Sequence, residues 1–414
     1  MIDAVINYSP VHSRVQVKLP LSKSISNRML IMNFLSGRSA TKLKVSEADD
    51  SQILFSCIET LEKPDGLTVL NVGEAGTAAR FLTAMLCVTP GIHYITGGKR
   101  MRERPINSLF KALIDLGADI QFEKKQFCFP ARITGKRLQG GVLEMSDITS
   151  SQFVSALLMI APVLKNGLEL HLNGKIASEP YILMTLELLR SHGGLFDYAP
   201  RCIKVYETKF KKSSVVIESD WSSAAPFYSI MALRLLDELF LENLTGKSMQ
   251  GDSVLADIFT NLGVETTELP GGILLKPSSR RSSRFEYDFS DCPDLAQSVI
   301  VTVAALGSSG FFTGLHSLPL KETDRLQAMH NELERLGIRN SIGEDFLEIE
   351  ASEPICPETP IQTYQDHRMA MAFAPLAGVF GSLKMVQPDV VSKSFPKFWK
   401  QIERCGFSMN HTSG

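Results

Sequence analysis

Apolar and polar positions in this chain repeat one design six times: a small polar start, then an apolar run of about three helical turns. The copies are SISNRMLIMNFLSG, GTAARFLTAMLCV, SSQFVSALLMIAP, SSAAPFYSIMAL, DLAQSVIVTVAAL and DHRMAMAFAPLAG. Counted between Ser26, Thr77, Gln152, Ser223, Ala296 and Arg368, they recur at intervals of 51, 75, 71, 73 and 72 residues. A second design interleaves with the first. It is an amphipathic helix that ends near a glycine and is followed by alternating residues: PINSLFKALIDLGADIQF, YILMTLELLRSHGGLFDY, SVLADIFTNLGVETTE, AMHNELERLGIRNSI and FPKFWKQIERCGFSMN. Its markers Gly117, Gly194, Gly263, Gly337 and Gly406 suit the left-handed residue that ends a helix, and the alternation after them predicts a strand. Each repeat therefore predicts a buried helix, an amphipathic helix and several strands. The period is too long for the common solenoids, and six α/β units in 414 residues suit two domains of three.

The polar starts are ordinary N-caps one by one, worth about 0.5–2 kcal/mol each. Taken together they carry extra Arg, Lys and Gln. If threefold domains aim these helices at a common cleft, the N-terminal partial charges favour anions there. Overall composition changes the picture little. Lys and Arg number 43 against 45 Asp and Glu, a net charge of −2, so nothing global points to nucleic acid or to a membrane. An anion site has to be built locally. The longest apolar stretches, around 298–306 and 369–380, fall short of the 18 or so residues of a membrane span. The first residues have no cationic start ahead of an apolar run, and the seven cysteines are scattered with no C-x-x-C pair. The expectation is a cytoplasmic protein with reduced thiols.

Candidate chemistry is cationic: Ser22-Lys23-Ser24 with Arg28, then Arg100-Met101-Arg102-Glu103-Arg104-Pro105, Lys321-Glu322-Thr323-Asp324-Arg325, Asp366-His367-Arg368 and Lys393-Ser394. Arg offers a planar fork to carboxylate or phosphate, and Lys a mobile point charge. Gly246-Lys247-Ser248 is no P-loop, because position 241 is Leu. The histidines and cysteines show no metal-binding spacing and there is no G-x-S-x-G elbow, so neither a metal nor a cofactor is expected.

These residues fall into a recognisable order. SKSISNR, EAGTAAR, RMRERPI, SSQFVSALLM, SEPYI, SMQGD, PDLA, LKETDRL, DHRMAM and KSFP occur collinearly from end to end, and the chain resembles the 5-enolpyruvylshikimate-3-phosphate synthase family. The resemblance implies two domains, each of three βαβαββ-like units (an inside-out α/β barrel), one of residues 21–219 and the other of 1–20 with 220–414. The active site is expected in the cleft between them. It also implies transfer of the enolpyruvyl group of phosphoenolpyruvate to the 5-hydroxyl of shikimate 3-phosphate, with release of phosphate.

Carried over motif by motif, Lys23, Ser24, Arg28, Ser150, Ser151, Gln152, Ser178, Tyr181, Asp294, Ser317 and Lys321 are expected at shikimate 3-phosphate. Lys23, Gly76, Arg104, Gln152, Arg325, Arg368 and Lys393 are expected at phosphoenolpyruvate. Asp294 matches the base near the hydroxyl, and Glu322 with Lys23 the proton-transfer pair near the methylene. At Asp294 a helix N-cap is the plainer alternative. If Lys321 and Arg325 share a helical face, Glu322 points elsewhere. The empty site is expected to present four or more unneutralised cations, whose repulsion ligands relieve on closure.

Several residues depart from the family pattern: Leu21, Glu74, Phe81, Glu179, Ser219 and Ser317. Glu74 bears most directly on function, since a carboxylate beside an anion site costs affinity unless paired. Both substrates are small molecules, and the chain is expected to act as a monomer. Three rivals are weaker. The UDP-N-acetylglucosamine enolpyruvyl transferases usually carry a Cys five residues before Arg-Pro, where this chain has Lys99. RNA 3′-phosphate cyclases would need a basic stripe. A non-catalytic sugar-phosphate binder has no need of Asp294 and Glu322.

Overall fold

The computed structural model describes residues 3–39, 42–63, 67–103, 106–146, 150–174, 178–280 and 282–412. The chain divides into two compact units, a continuous one of Leu21–Ile217 and a discontinuous one of Met1–Pro20 with Glu218–Gly414. Ser219 is tied into the discontinuous unit: its N–H donates to the Asn243 carbonyl (2.9 Å) and its own carbonyl accepts from Gln250 Nε2 (2.8 Å).

Three four-stranded sheets build the discontinuous unit. In spatial order they are Ile361–Gln362, Ser382–Val386, Asp3–Tyr8 and Phe407–Thr412; Val264–Leu269, Gly272–Pro277, Leu239–Glu242 and Val15–Lys18; and Arg284–Asp288, Ser309–Thr313, Leu347–Ile349 and Asn340–Ile342. Each contains one parallel and two antiparallel pairings. Inside them the apolar helices Ala225–Ala232, Ala296–Ala305 and His367–Phe373 pack on one another. These segments are apolar all round, as a helix enclosed on every side must be. Polar side chains on them can pair inside, as where Thr302 Oγ1 meets Ser229 Oγ at 2.7 Å.

The continuous unit repeats the plan with the helices Lys23–Leu35, Gly76–Val88 and Ser151–Ile160, again in mutual contact. Two four-stranded sheets surround them, Thr68–Asn71, Gly91–Thr96, Ala131–Gly135 and Asp119–Phe122, and Gly141–Met145, Leu168–Leu172, Cys202–Val205 and Phe196–Ala199. The first repeat has instead the helix pair Lys23–Leu35 and Asp49–Glu62. Among the described residues it forms no four-stranded sheet of its own.

Helix ends follow the glycine rule with one displacement. Gly117, Gly263, Gly337 and Gly406 take φ of +89°, +87°, +74° and +92°. After Glu179–Ser191 the left-handed residue is Gly193 (φ +80°) and not Gly194. The bonding explains it: Gly193 N–H reaches the Arg190 carbonyl (2.9 Å) and Gly194 N–H the Leu189 carbonyl (2.8 Å). That is a Schellman motif, in which the residue two past the helix closes the wider ring.

Candidate active site

In the discontinuous unit, charged side chains from three segments converge on Arg325. The helix Arg325–Arg335 begins after Asp324, whose carboxylate caps it by accepting from Gln327 N at 3.0 Å. Lys321 and Glu322 lie before that start, in non-helical chain, so the helical-face objection to Glu322 does not apply. Arg325 Nε donates to Asp366 Oδ2 (2.7 Å), one terminal nitrogen to Asp294 Oδ1 (3.0 Å), and the other to Glu322 Oε2 (2.7 Å) and Asp366 Oδ1 (3.4 Å). Only 2% of the Arg325 side chain is exposed. Burial works against its charge, yet the carboxylates of Asp366, Glu322 and Asp294 outweigh burial and drive its pKa up.

Asp294 is shared. Its Oδ2 accepts from Arg368 at 3.0 Å, and Lys321 Nζ stands 3.7 Å from its Oδ1. The following helix starts at Ala296 with Leu295 in the capping position, so the Asp294 carboxylate is not its N-cap. Burial lowers the pKa of Lys321, with Asp294 opposing.

Asp366 does cap its helix, accepting from Arg368 N at 2.8 Å. It follows two consecutive left-handed residues, Tyr364 (φ +52°) and Gln365 (φ +56°). Neither is glycine, so each stores of the order of 1–3 kcal/mol of strain, held by the surrounding structure. Lys393 Nζ donates to the Gln365 carbonyl at 2.8 Å and helps to fix that turn. Ser317 stands at the start of the short turn Leu318–Leu320.

The expected excess of cations is corrected here. Arg325, Arg368 and Lys321 are each matched by a carboxylate within the unit. Neutralisation is internal, because an unpaired charge buried as Arg325 and Arg368 are would cost several kcal/mol.

The continuous unit holds the second group. Ser22 caps Lys23–Leu35, its Oγ accepting from Ile25 N at 3.3 Å, and Lys23 Nζ lies 3.9 Å from Asp50. Arg28, only 1% exposed, donates to Thr185 Oγ1 (2.7 Å), the Ser24 carbonyl (2.9 Å), Ser155 Oγ (3.0 Å) and the Tyr181 carbonyl (3.2 Å). Its guanidinium also lies over the Phe81 and Tyr181 rings. Among the described residues no carboxylate pairs with it, and burial lowers its pKa to about 10. Arg28 thus ties Ser24 to Tyr181 as a buried cation among neutral groups.

Ser150 caps Ser151–Ile160, accepting from Gln152 N at 3.3 Å. The Gln152 side-chain oxygen accepts from Arg80 at 2.9 Å. Ser178 is left-handed (φ +59°), and its carbonyl accepts from Tyr181 N at 3.1 Å. Gly76 opens the helix Gly76–Val88 after Ala75, with no side-chain cap. Its N-terminal amides are available to an anion. The exposed Glu74 carboxylate lies over Gly98, where a Cβ would come within 1.9 Å of Oε1. Arg104 and Pro105 lie outside the described residues.

Four participants went unassigned in the sequence: Arg80, Asp366, Asp252 and Asp50. Each sits inside or beside a quoted motif or helix start, and only the fold shows what it faces. Asp252 is fully buried and bonded to Ser222 Oγ; burial, together with the charge of Asp294, raises its pKa to about 6.

The family model described as EPSP synthase (3-phosphoshikimate 1-carboxyvinyltransferase) matches residues 39–402. A 3-phosphoshikimate 1-carboxyvinyltransferase of Bacteroides fragilis is 42% identical over 406 residues, 97% of either chain. One from Shewanella baltica is 32% identical over 417 residues, covering 95% of this chain and 97% of that one. The EPSP synthase structure from Acinetobacter baumannii superposes with a TM-score of 0.75 over 99% of this chain and 100% of that one, at 22% identity, which speaks for the fold alone. With a family model across most of its length and a relative this similar end to end, the chain belongs to the EPSP synthase family.

Proposed function

We propose that the two groups of residues divide the work of one reaction. The protein is a 3-phosphoshikimate 1-carboxyvinyltransferase: it joins the enolpyruvyl group of phosphoenolpyruvate to the 5-hydroxyl of shikimate 3-phosphate and releases phosphate. In our reading Asp294 takes the proton of the 5-hydroxyl as oxygen attacks C2 of phosphoenolpyruvate. Glu322, with Lys23, delivers a proton to the methylene carbon. Removal of a proton from the resulting methyl group, with departure of phosphate, then restores the double bond. Arg325, Arg368, Lys393 and Arg104 hold phosphoenolpyruvate, with Gly76 and Gln152. Ser24, Arg28, Ser150, Ser151, Gln152, Ser178 and Tyr181 hold shikimate 3-phosphate, aided by Ser317 and Lys321.

The observation that carries this reading is the placing of Asp294 and Glu322 on one buried arginine, with neither carboxylate used as a helix cap. These carboxylates occupy donors that an anionic substrate would take over. Substrate binding then releases Asp294 from its strongest counter-ions as the base is needed. Turnover draws on residues of both units. Phosphate release from phosphoenolpyruvate in the presence of shikimate 3-phosphate, and none with UDP-N-acetylglucosamine, is the expected result. Silence with both acceptors from folded protein would overturn the assignment.

We further infer a cytoplasmic monomer. In support, no helix among the described residues is long and apolar enough to cross a membrane. Size-exclusion chromatography with light scattering tests the monomer.

A further inference from the structure

Away from these residues, the sheet of Gly141–Met145, Leu168–Leu172, Cys202–Val205 and Phe196–Ala199 carries an unexplained group of side chains on its outward face. Alternation sends Leu168, Leu170 and Leu172 inward and leaves Glu169 and His171 outward; in the neighbouring strand Ile203 and Val205 go in, Cys202 and Lys204 out. The antiparallel register sets Cys202 opposite His171 and Lys204 opposite Glu169. One donor atom from each of Glu169, His171 and Cys202 lies within 4.8 Å of the other two. His171 Nε2 already meets Glu169 Oε1 at 3.0 Å, and Lys204 Nζ holds the second carboxylate oxygen at 3.0 Å.

We propose that Glu169, His171 and Cys202 form a binding site for one zinc ion, with water completing a tetrahedron. The donor set selects the metal: thiolate with imidazole is a soft to borderline combination that favours zinc and rejects calcium and magnesium. Zinc bonds of 2.0–2.3 Å place neighbouring ligand atoms about 3.4 Å apart. The His171–Glu169 pair is close to that spacing now, and side-chain torsions alone can bring in Cys202. The ion takes the place of the proton between Nε2 and Oε1.

Lys204 keeps the other carboxylate oxygen and orients Glu169 from outside the coordination shell, as partners of metal ligands do. Its hydrogen bond, with that of His171, holds both oxygens of the Glu169 carboxylate in place. Glu144, level with His171 in the parallel pairing, adds negative charge nearby. Sequence spacing hides the site, because Cys202 comes from a strand 31 residues beyond His171. The effect is a cross-link between adjacent strands, independent of turnover.

The test uses the full chain, stripped by chelator, titrated with Co²⁺ and then competed with Zn²⁺. One equivalent of Co²⁺ is expected to give a thiolate-to-cobalt charge-transfer band with the intense visible bands of four-coordinate cobalt. Zn²⁺ should abolish both and raise the Tm. C202S should lose the charge-transfer band, and H171A should weaken zinc binding at least tenfold, both with wild-type circular dichroism and turnover. If C202S does not fold, wild-type protein alkylated at Cys202 gives the same reading. C356S, altering the exposed Cys356, should keep the band. The proposal is overturned if the wild-type chain binds no Co²⁺ through sulfur, or if the band survives in C202S or vanishes in C356S.

Discussion

Replacing Asp294 by Asn separates a chemical role from a structural one. The side chain keeps its shape and an acceptor, but loses the charge that faces Arg325, Arg368 and Lys321 at 3.0, 3.0 and 3.7 Å. One charge-assisted hydrogen bond becomes a neutral-acceptor bond, the other is lost because an amide N–H then faces an arginine N–H, and one cation of the three goes unmatched. Each weakened bond costs about 1 kcal/mol, so a stability loss of about 1–3 kcal/mol is expected. Loss of a general base costs about 10²–10⁴ in rate, or about 3–5 kcal/mol in barrier. Binding should move the other way. With one anion gone, the arginines are freer to hold a substrate carboxylate, and KM for phosphoenolpyruvate should stay level or fall. The assay is phosphate release under saturating shikimate 3-phosphate, with thermal melting and circular dichroism on the same samples. A hundredfold or greater fall in kcat at unchanged or lower KM is expected. A variant that melts within a few degrees of wild type yet keeps kcat within tenfold would refute the base assignment. A rise in KM with kcat preserved would make Asp294 a structural strut.

Other perturbations follow from the same geometry. Asp252 has a folded pKa raised to about 6, above its ordinary 3.8, so the folded state binds the proton more tightly than the unfolded one and loses stability as pH rises from about 4 to beyond 6. Asp252→Asn should therefore gain on wild type by up to about 3 kcal/mol across that window in urea melts at pH 4 and pH 7.5, and parallel curves would show that burial does not control this group. Arg28→Met should cost about 2–4 kcal/mol by removing the hydrogen bonds to Thr185, Ser155 and two carbonyls, and should raise KM for shikimate 3-phosphate at least tenfold. Arg28→Lys, which keeps charge without the fork, should recover little of either, and full recovery would show that charge alone matters. Glu74→Asn removes a charge worth about 1 kcal/mol at 4 Å in water, so KM for phosphoenolpyruvate should drop severalfold; no change would place Glu74 outside the reach of the substrate.

The six buried helices were legible because nothing else produces an apolar run closed on all sides at so regular an interval. Ends with a Schellman glycine were legible too, to within the one residue that separates Gly193 from Gly194. The helix Asp49–Glu62 escaped because it ends at Lys63 without a glycine, and with it went Asp50, the neighbour of Lys23. Arg28 shows a deeper limit. Its motif marked it as an anion contact, but its burial is set by Ser155, Tyr181 and Thr185, 127 to 157 residues further on. The matching of Arg325 by Asp294 and Asp366 was hidden for the same reason: the residues stand 31 and 41 positions away. Local patterns name the charged residues, whereas which charge cancels which is a property of the assembled sheets and helices.

The strand Asp3–Tyr8 lies in the middle of its sheet, paired on one side with Ser382–Val386 and on the other with Phe407–Thr412. Both neighbours follow it by more than 370 residues, so during synthesis they leave the ribosome much later. The continuous unit, Leu21–Ile217, is complete long before. It can fold as a block while the first strand waits with both edges bare, exposed to wrong partners. The same pairing sets Asp3 directly against Thr412. A short linker across them, with new ends opened in an exposed loop, would make the discontinuous unit contiguous and turn late, distant pairing into early, local pairing. Such a permuted chain should refold faster than the natural order at similar stability, which makes the order of translation a separate design variable from the fold.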